Sequence, residues 1–243
     1  MQQLKIHPLP IINLEAPKVC FTYLLDPTKI INVPVYSWYI EGTKERILVD
    51  VGCSAQTMIQ KGQRAEDVLS PSDALKRMGT SPEEIDIVIC THLHVDHIGY
   101  GHIYKNARFI VQKDELEAAL NPHPIQNLQF RHNSMLKDLN FEIVAGDIQV
   151  TEGIRLLLTP GHTAGNQSVA ITTEKGEVII SGICSIMDNF EPPDEVKMHM
   201  PVITPGVHID ARQAFKSLLR IKQEADIVIP LHEPAFAKQN TIP

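Results

Sequence analysis

The feature that most constrains this chain is a nine-residue stretch, Thr91–Gly99, that carries three histidines and an aspartate. These four side chains fall within six residues, directly after the apolar run Ile85–Cys90: they are His92, His94, Asp96 and His97. Imidazole and carboxylate are the nitrogen and oxygen ligands that a borderline cation such as Zn²⁺ accepts. A strand or a helix alone cannot turn all four inward, because each has a single side-chain period. The stretch predicts a metal-binding turn at a strand end; a chance cluster of histidines on a solvated loop is the alternative.

Two later histidines stand in motifs of the same kind. His162 lies in Thr159-Pro160-Gly161-His162-Thr163, and His232 lies in Pro230-Leu231-His232-Glu233-Pro234, after the strand-like Asp226–Ile229. Together the three motifs resemble the signature of the metallo-β-lactamase superfamily, and within it the N-acyl homoserine lactonase-like hydrolases. The likeness extends from about residue 30 to the end, and four further segments support it: Val35–Trp38, Leu48–Gly52, Glu115–Pro122 and Asp188–Glu191.

The resemblance implies an α/β fold, a four-layer αβ/βα sandwich with two facing sheets, helices outside and metals at one edge. We expect one such domain over residues 1–243. The local patterns predict strands at Val19–Leu25, Val35–Ile40, Arg46–Val51, Phe109–Val111, Ile154–Leu158, Gln167–Thr173, Val178–Ser181 and Ile227–Ile229. They predict helices after Ser70, at Asp114–Leu120 and after Asp210.

A long connection with little regular pattern runs from about Asn121 to Asn140. Connections of this length are often lids or binding loops. The two histidines within it, His123 and His132, are expected at the surface or facing substrate rather than on a metal.

The resemblance also implies a ligand set for two metals that share an activated water. The first metal would be held by His92, His94 and His162, and the second by Asp96, His97 and His232. One or two zinc ions are the expected cofactor, with iron or manganese as the alternatives. Asp50, at the end of an apolar strand, either orients a metal-binding histidine or caps a turn.

The chain departs from the lactonase pattern where a bridging aspartate is expected, after the strand Val178–Gly182. Ile183 and Cys184 stand there, and no carboxylate follows before Asp188. A Gly-x-Cys segment supplies a thiolate ligand in one β-lactamase subclass, which predicts that Cys184 binds the second metal. A small buried hydrophobic role for Cys184 is the alternative.

A second departure concerns the tyrosine that contacts the substrate carbonyl in the lactonases, since this chain has Ser185-Ile186-Met187 in its place. His199 and His208 are candidate replacements. His208 is the better catalytic candidate, because it precedes the helix cap Asp210 and a helix N-terminus favours developing negative charge. A solvated loop histidine is the alternative.

These residues predict a metal-dependent hydrolase of a lactone or another small carboxylic ester or amide. Metal-activated hydroxide would attack the carbonyl, and the catalytic Asp96 would position it or move a proton. Within the enzyme class, a thioester hydrolase of glyoxalase type is the alternative. A metal-binding protein without turnover is the alternative from another class.

Composition narrows the partners and the compartment. The formal charge of -7, without a basic block, argues against nucleic acid or an anionic membrane as partner and favours a small-molecule substrate. Four widely spaced cysteines and an amino terminus without a signal-peptide pattern predict a cytoplasmic protein. A homodimer is one assembly that the sequence allows.

Overall fold

Two β-sheets face each other in the computed structural model, which describes residues 3–126, 129–130 and 133–242. The described strands of the first sheet are β1 (Lys5–Pro17), β2 (Ile30–Glu41), β3 (Ile47–Val49), β4 (Arg64–Asp67), β5 (Ile87–Ile89), β6 (Arg108–Gln112) and β7 (Asn140–Val144), in the order β4-β1-β2-β3-β5-β6-β7. Those of the second are β8 (Ile148–Thr151), β9 (Ile154–Leu158), β10 (Gln167–Thr173), β11 (Gly176–Ile180) and β12 (Ile227–Ile229), in the order β12-β11-β10-β9-β8.

The described α-helices are α1 (Ala55–Gln60), α2 (Pro71–Arg77), α3 (Val95–Ile98), α4 (Lys113–Leu120), α5 (Met187–Phe190), α6 (Asp194–Lys197) and α7 (Ala211–Glu224). Of these, α1, α2 and α4 cover the outer face of the first sheet, and α7 covers that of the second. The predicted caps are confirmed: the Ser70 side chain accepts from the N–H of Asp73, and the Asp210 side chain accepts from those of Arg212 and Gln213.

Side-chain alternation divides the core into three layers, since neighbouring residues of a strand point to opposite faces. In β3, Ile47 and Val49 point between the sheets, where they pack with Val169 and Ile180 of the second sheet. Leu48 points outward into the cluster that the helices α1, α2 and α4 cover. On the far side, residues of the second sheet pack against α7. This is the four-layer αβ/βα sandwich that the resemblance implies.

Near the amino terminus the structure differs from the sequence-based expectation in two places. Sequence patterns missed β1, whose Pro8 and Pro10 argue against a strand. These prolines are tolerated because β4 pairs only with residues 12–15 of β1, so the outer side of the proline stretch lacks a described strand partner. Residues 19–25, predicted as a strand, instead form a short 3₁₀ turn and bends.

The backbone after Pro17 explains that second difference. Lys18 O accepts hydrogen bonds from the N–H groups of Phe21 and Thr22, which closes a turn. Leu24 and Asp26 then adopt the left-handed conformation, with φ of 58° and 50°. An alternating strand pattern does not survive such turns.

The strand directions bring the predicted ligands to one edge. β3, β5 and β6 are parallel, as are β11 and β12. Asp50, Thr91 and Lys113 therefore follow strand ends on the same edge of the first sheet. In the part of the chain that the structure describes, no helix is both long and apolar enough to cross a membrane. His132, predicted in the long connection, lies outside the described residues.

Candidate metal centre

Two groups of buried side chains meet at this edge. The ligand atoms of the first group, His92, His94 and His162, lie within 4.8 Å of one another. The same limit holds for the second group, Asp96, His97 and His232. The rings of His92 and His97, one from each group, have centroids 4.2 Å apart. The groups are therefore neighbours that open into one cavity.

Hydrogen bonds to Nδ1 aim the other ring nitrogen of several histidines at the centre. His162 Nδ1 donates to Val207 O at 2.7 Å, and His232 Nδ1 donates to Pro34 O at 3.0 Å. A carbonyl oxygen only accepts, so the Nδ1 of each ring carries the proton. Nε2 is then left with the lone pair that a metal needs.

Asp50 organises the second group in the same way. Its Oδ2 accepts from His97 Nδ1 at 2.8 Å and from Thr91 Oγ1 at 2.7 Å. The Thr91 hydroxyl already donates its one hydrogen bond to Asp50, so His92 Nδ1 must be the donor in the hydrogen bond to Thr91 Oγ1, at 3.0 Å. Asp50 sits in the left-handed conformation, φ 54°, where Asp is among the better-tolerated side chains. The prediction that Asp50 orients a histidine of the site is confirmed.

The donor atoms fit zinc. His92 Nε2 and His162 Nε2 lie 3.2 Å apart. Two nitrogens on a tetrahedral zinc would be about 3.3 Å apart, because each Zn–N distance is about 2.0–2.1 Å. His97 Nε2 is buried without a hydrogen-bond partner in the described structure, which is costly unless another group binds it.

Electrostatics differ between the rings. Burial lowers the pKa of His162 and of His232 to about 4, so both are neutral at neutral pH, as metal ligands must be. Burial likewise holds the pKa of His92 and His94 well below their usual value. Burial also opposes the charged form of His97, but the carboxylates of Asp96 and Asp50 raise its pKa to about 10.

At the departure from the lactonase pattern, Ile183 and Cys184 lie in different surroundings. The side chain of Ile183 is buried in the cluster beneath α7. Cys184 lines the metal cavity, although it belongs to neither group of ligand atoms. Asp188, the next carboxylate, is paired with Lys18 Nζ at 2.7 Å. Cys184 as a ligand stays a prediction.

His208 lies in an adjoining cavity that His94 and His162 also line. Its Nδ1 donates to Pro205 O at 2.7 Å, and its ring packs edge-on against Tyr23, 5.2 Å between centroids. The free N–H groups expected at the start of α7 are taken by Asp210. A catalytic role for His208 therefore stays a prediction, and it depends on the His208 ring rather than on the helix N-terminus. The other candidate, His199, is exposed.

The metal cavity has a volume of about 220 Å³, and its wall is largely apolar. Its apolar residues include Leu14, Ala16, Phe21 and Met58. Among the described lining residues outside the two groups, the charged side chain is that of Lys61. Phe21 packs edge-on against His232, 5.4 Å between centroids. Phe21 belongs to a segment, residues 18–29, that we call the strap.

Sequence reasoning missed two residues that support the site. The Lys18 ammonium is almost fully buried and binds both Asp26, at 2.6 Å, and Asp188, which ties the strap to α5. The sequence predicts Glu115 as part of a helix, and the structure shows that its buried carboxylate contacts two of the histidine-bearing loops. No local pattern distinguishes either residue from a surface charge; only the tertiary contacts do.

Comparison with known proteins agrees with this geometry. The profile of the metallo-beta-lactamase superfamily matches residues 30–232. An N-acyl homoserine lactonase of Bacillus thuringiensis is 33% identical over 213 residues, covering 82% of this chain and 79% of that protein. The N-acyl homoserine lactonase AiiB of Agrobacterium fabrum is 28% identical over 193 residues, 68% of each chain. A solved N-acyl homoserine lactone hydrolase, with the product N-hexanoyl-L-homoserine at its catalytic metal centre, shares 29% identity at a TM-score of 0.78, over 98% of this chain and 96% of that one. By its profile match, its relatives and its fold, the chain belongs to the metallo-β-lactamase superfamily.

Proposed function

We propose that this protein is a zinc-dependent lactonase that opens the ring of N-acyl homoserine lactones. The observation that carries the proposal is the pair of ligand groups that open into one cavity, with rings 4.2 Å apart across the groups. Two metals held side by side suit the hydrolysis of a carbonyl compound. The relatives named above act on, or hold the product of, this class of lactone.

Zinc bound at these groups would polarise the carbonyl and lower the pKa of a water molecule. The carboxylate of Asp96 is partly exposed, lies 3.4 Å from His97 Nε2 and lines the cavity. From there Asp96 can hold the attacking water and take up a proton. His208, with Nδ1 tied to Pro205 O, presents Nε2 to the adjoining cavity. A catalytic role for His208 requires an Nε2–H that donates to the carbonyl oxygen as that oxygen gains charge.

The apolar wall fits the acyl chain of such a substrate. Leu14, Phe21 and Met58 offer a surface on which methylene groups lose contact with water, worth about 0.8 kcal/mol for each one buried. A thioester of glyoxalase type with a charged carrier would find little to pair with in this wall. Among the described lining residues outside the two ligand groups, Lys61 is the one cation with which such a carrier would pair.

A hydrolysis panel tests the proposal. The zinc-loaded protein is given N-hexanoyl homoserine lactone, an unsubstituted lactone and a glyoxalase-type thioester, and each product is quantified by chromatography. We expect turnover of the acylated lactone to exceed that of the other two, and His94→Ala to abolish it. Preferred turnover of the thioester would replace the proposal with the glyoxalase type. Full zinc loading without any turnover would indicate a metal-binding protein.

Two coarser points complete the proposal. We place the protein in the cytoplasm, supported by four cysteines that are all free thiols. A homodimer remains a prediction, and light scattering of the purified protein would measure it.

A further inference from the structure

Glu115 is a fully buried carboxylate that the proposed chemistry does not use. It stands in the first turn of α4, directly after β6. Its Oε1 accepts a hydrogen bond from Leu93 N at 2.9 Å. Its Oε2 accepts from Thr163 Oγ1 at 2.5 Å and from Gly165 N at 3.1 Å. Donors from two separate loops thus converge on one carboxylate.

Both loops carry ligands of the first group. Leu93 lies between His92 and His94, and Thr163 follows His162. A single carboxylate therefore ties together the two loops that carry all three rings. The packing around it is tight: a Cβ at Gly165 would come within 2.4 Å of Glu115 N, so glycine is required for this approach.

The first group also lacks an anionic ligand, since it consists of three imidazoles. The second group has Asp96 among its ligands and Asp50 behind His97. For a divalent cation in the first group, the carboxylate of Glu115 is the negative charge placed directly behind the ligand loops. Burial raises the pKa of Glu115, while its three hydrogen-bond donors act in the opposite direction and favour the ionised form.

We propose that Glu115 is a positioning residue that sets the zinc affinity of the first group. It acts through the backbone of Leu93 and through the loop that starts at His162, without touching zinc or substrate. The inference rests on the metal-binding part of the proposed function and deepens it.

The test measures zinc affinity in one group at a time. In a chain that also carries His232→Ala, which disables the second group, zinc is titrated in competition with a chromophoric chelator. Glu115→Gln keeps the side-chain shape but puts an N–H₂ group where only acceptors fit. We expect the affinity to fall about ten- to a hundredfold. The matched control is Glu117→Gln, which makes the same charge change on an exposed residue of the same helix, and it should leave the affinity unchanged.

A second variant keeps the test decisive if Glu115→Gln does not fold. Thr163→Val retains the side-chain shape and removes one of the three donors, so zinc affinity should fall in the same direction by a smaller factor. If the folded variants bind zinc as tightly as the parent, whatever their melting temperature, Glu115 serves the fold alone and the inference is wrong. The readout is independent of turnover, so zinc binding without lactone hydrolysis would refute the proposed function and not this inference.

Discussion

The two ligand groups lie side by side, yet they are built differently. The first consists of three histidines, and carboxylates support it only indirectly: Glu115 through backbone N–H groups and a hydroxyl, and Asp50 through the Thr91 hydroxyl that contacts His92. The second contains a carboxylate, Asp96, and its supporting carboxylate, Asp50, binds a ligand ring directly. Negative charge is thus remote in one group and immediate in the other.

This difference shows in the protonation of the rings. Burial keeps His92, His94 and His162 neutral, and His232 of the second group as well, whereas Asp96 and Asp50 outweigh burial at His97. A neutral, prearranged set of nitrogens suits a tightly held metal. We therefore expect the groups to bind zinc independently and to contribute jointly to turnover.

Removing a single ligand, from either group, gives the largest expected effect. His94→Ala and His232→Ala should each abolish lactone hydrolysis, because both groups contact the same cavity. Each protein should keep zinc in the group left intact, which elemental analysis of the purified protein measures. His102→Ala, at an exposed position, is the control. Loss of all zinc from either variant would break the comparison, and wild-type activity of metal-free His94→Ala would refute a metal-dependent mechanism.

Cys184 would sharpen the comparison by adding a second anion to the second group. We expect Cys184→Ser to keep zinc in the first group and weaken it in the second, with Cys184→Asp partly restoring occupancy. Burial raises the pKa of this thiol well above its usual value, so a thiolate there requires a metal. Cobalt substitution should produce a thiolate charge-transfer band in the near ultraviolet.

A purely structural Cys184 gives the opposite pattern. Zinc stoichiometry would then be unchanged in Cys184→Ser, and the free energy of unfolding would fall by about 1–3 kcal/mol through an unpaired hydroxyl. A fully loaded cobalt protein without the band would also exclude a thiolate ligand, leaving the second group with Asp96, His97 and His232.

Asp50→Asn tests the direct support of the second group and should have a smaller effect. Asn tolerates the left-handed backbone at this position, so the change removes charge with little strain. In a chain carrying His94→Ala, zinc affinity of the second group should fall about ten- to a hundredfold. Asp86→Asn is the control, because Asp86 accepts a backbone hydrogen bond from Arg46 at the opposite end of β5. Equal losses in both variants would show that Asp50 only stabilises the fold.

The sequence points to the candidate ligands because each of them lies in a local motif, and the structure brings six of them together in two groups. Four of them fall in one turn after β5, and His162 and His232 each carry recognisable neighbours. The sandwich followed from the resemblance, and most strands from their β-branched runs. β1 was missed because its prolines are acceptable only where an outer partner strand is missing.

The residues behind the ligands could not be predicted from local patterns. Glu115 and Leu93 are 22 residues apart, and Glu115 and Thr163 are 48 apart. In sequence, Glu115 looks like an acidic residue in the first turn of a helix, which is a common feature of exposed helices. Asp50 was the exception, since an aspartate at the end of an apolar strand is already unusual.

The strap packs beside both ligand groups, and a substitution that disturbs it gives the smallest expected effect. Phe21 packs on His232 of the second group, and Tyr23 packs on His208 beside the first. Lys18 holds this segment to α5 through Asp188 and closes its own turn through Asp26. Lys18→Met keeps most of the aliphatic stem but removes the charge, so the strap should shift at the cavity wall while the ligands stay in place.

For Lys18→Met we expect zinc content to be unchanged and the KM for an acylated lactone to rise, by up to about tenfold, because small displacements of a binding wall weaken substrate positioning. Steady-state kinetics on lactones with short and long acyl chains would measure this, and the longer chains should lose more, since they contact more of the wall. Lys29→Met is the matched control: it lies on the same strap, is exposed, and should leave KM unchanged. If Lys18→Met instead released zinc, the strap would belong to the support of the second group through Phe21 and His232. The second group, and not the first, would then be the group whose ligands depend on residues farther away in the structure.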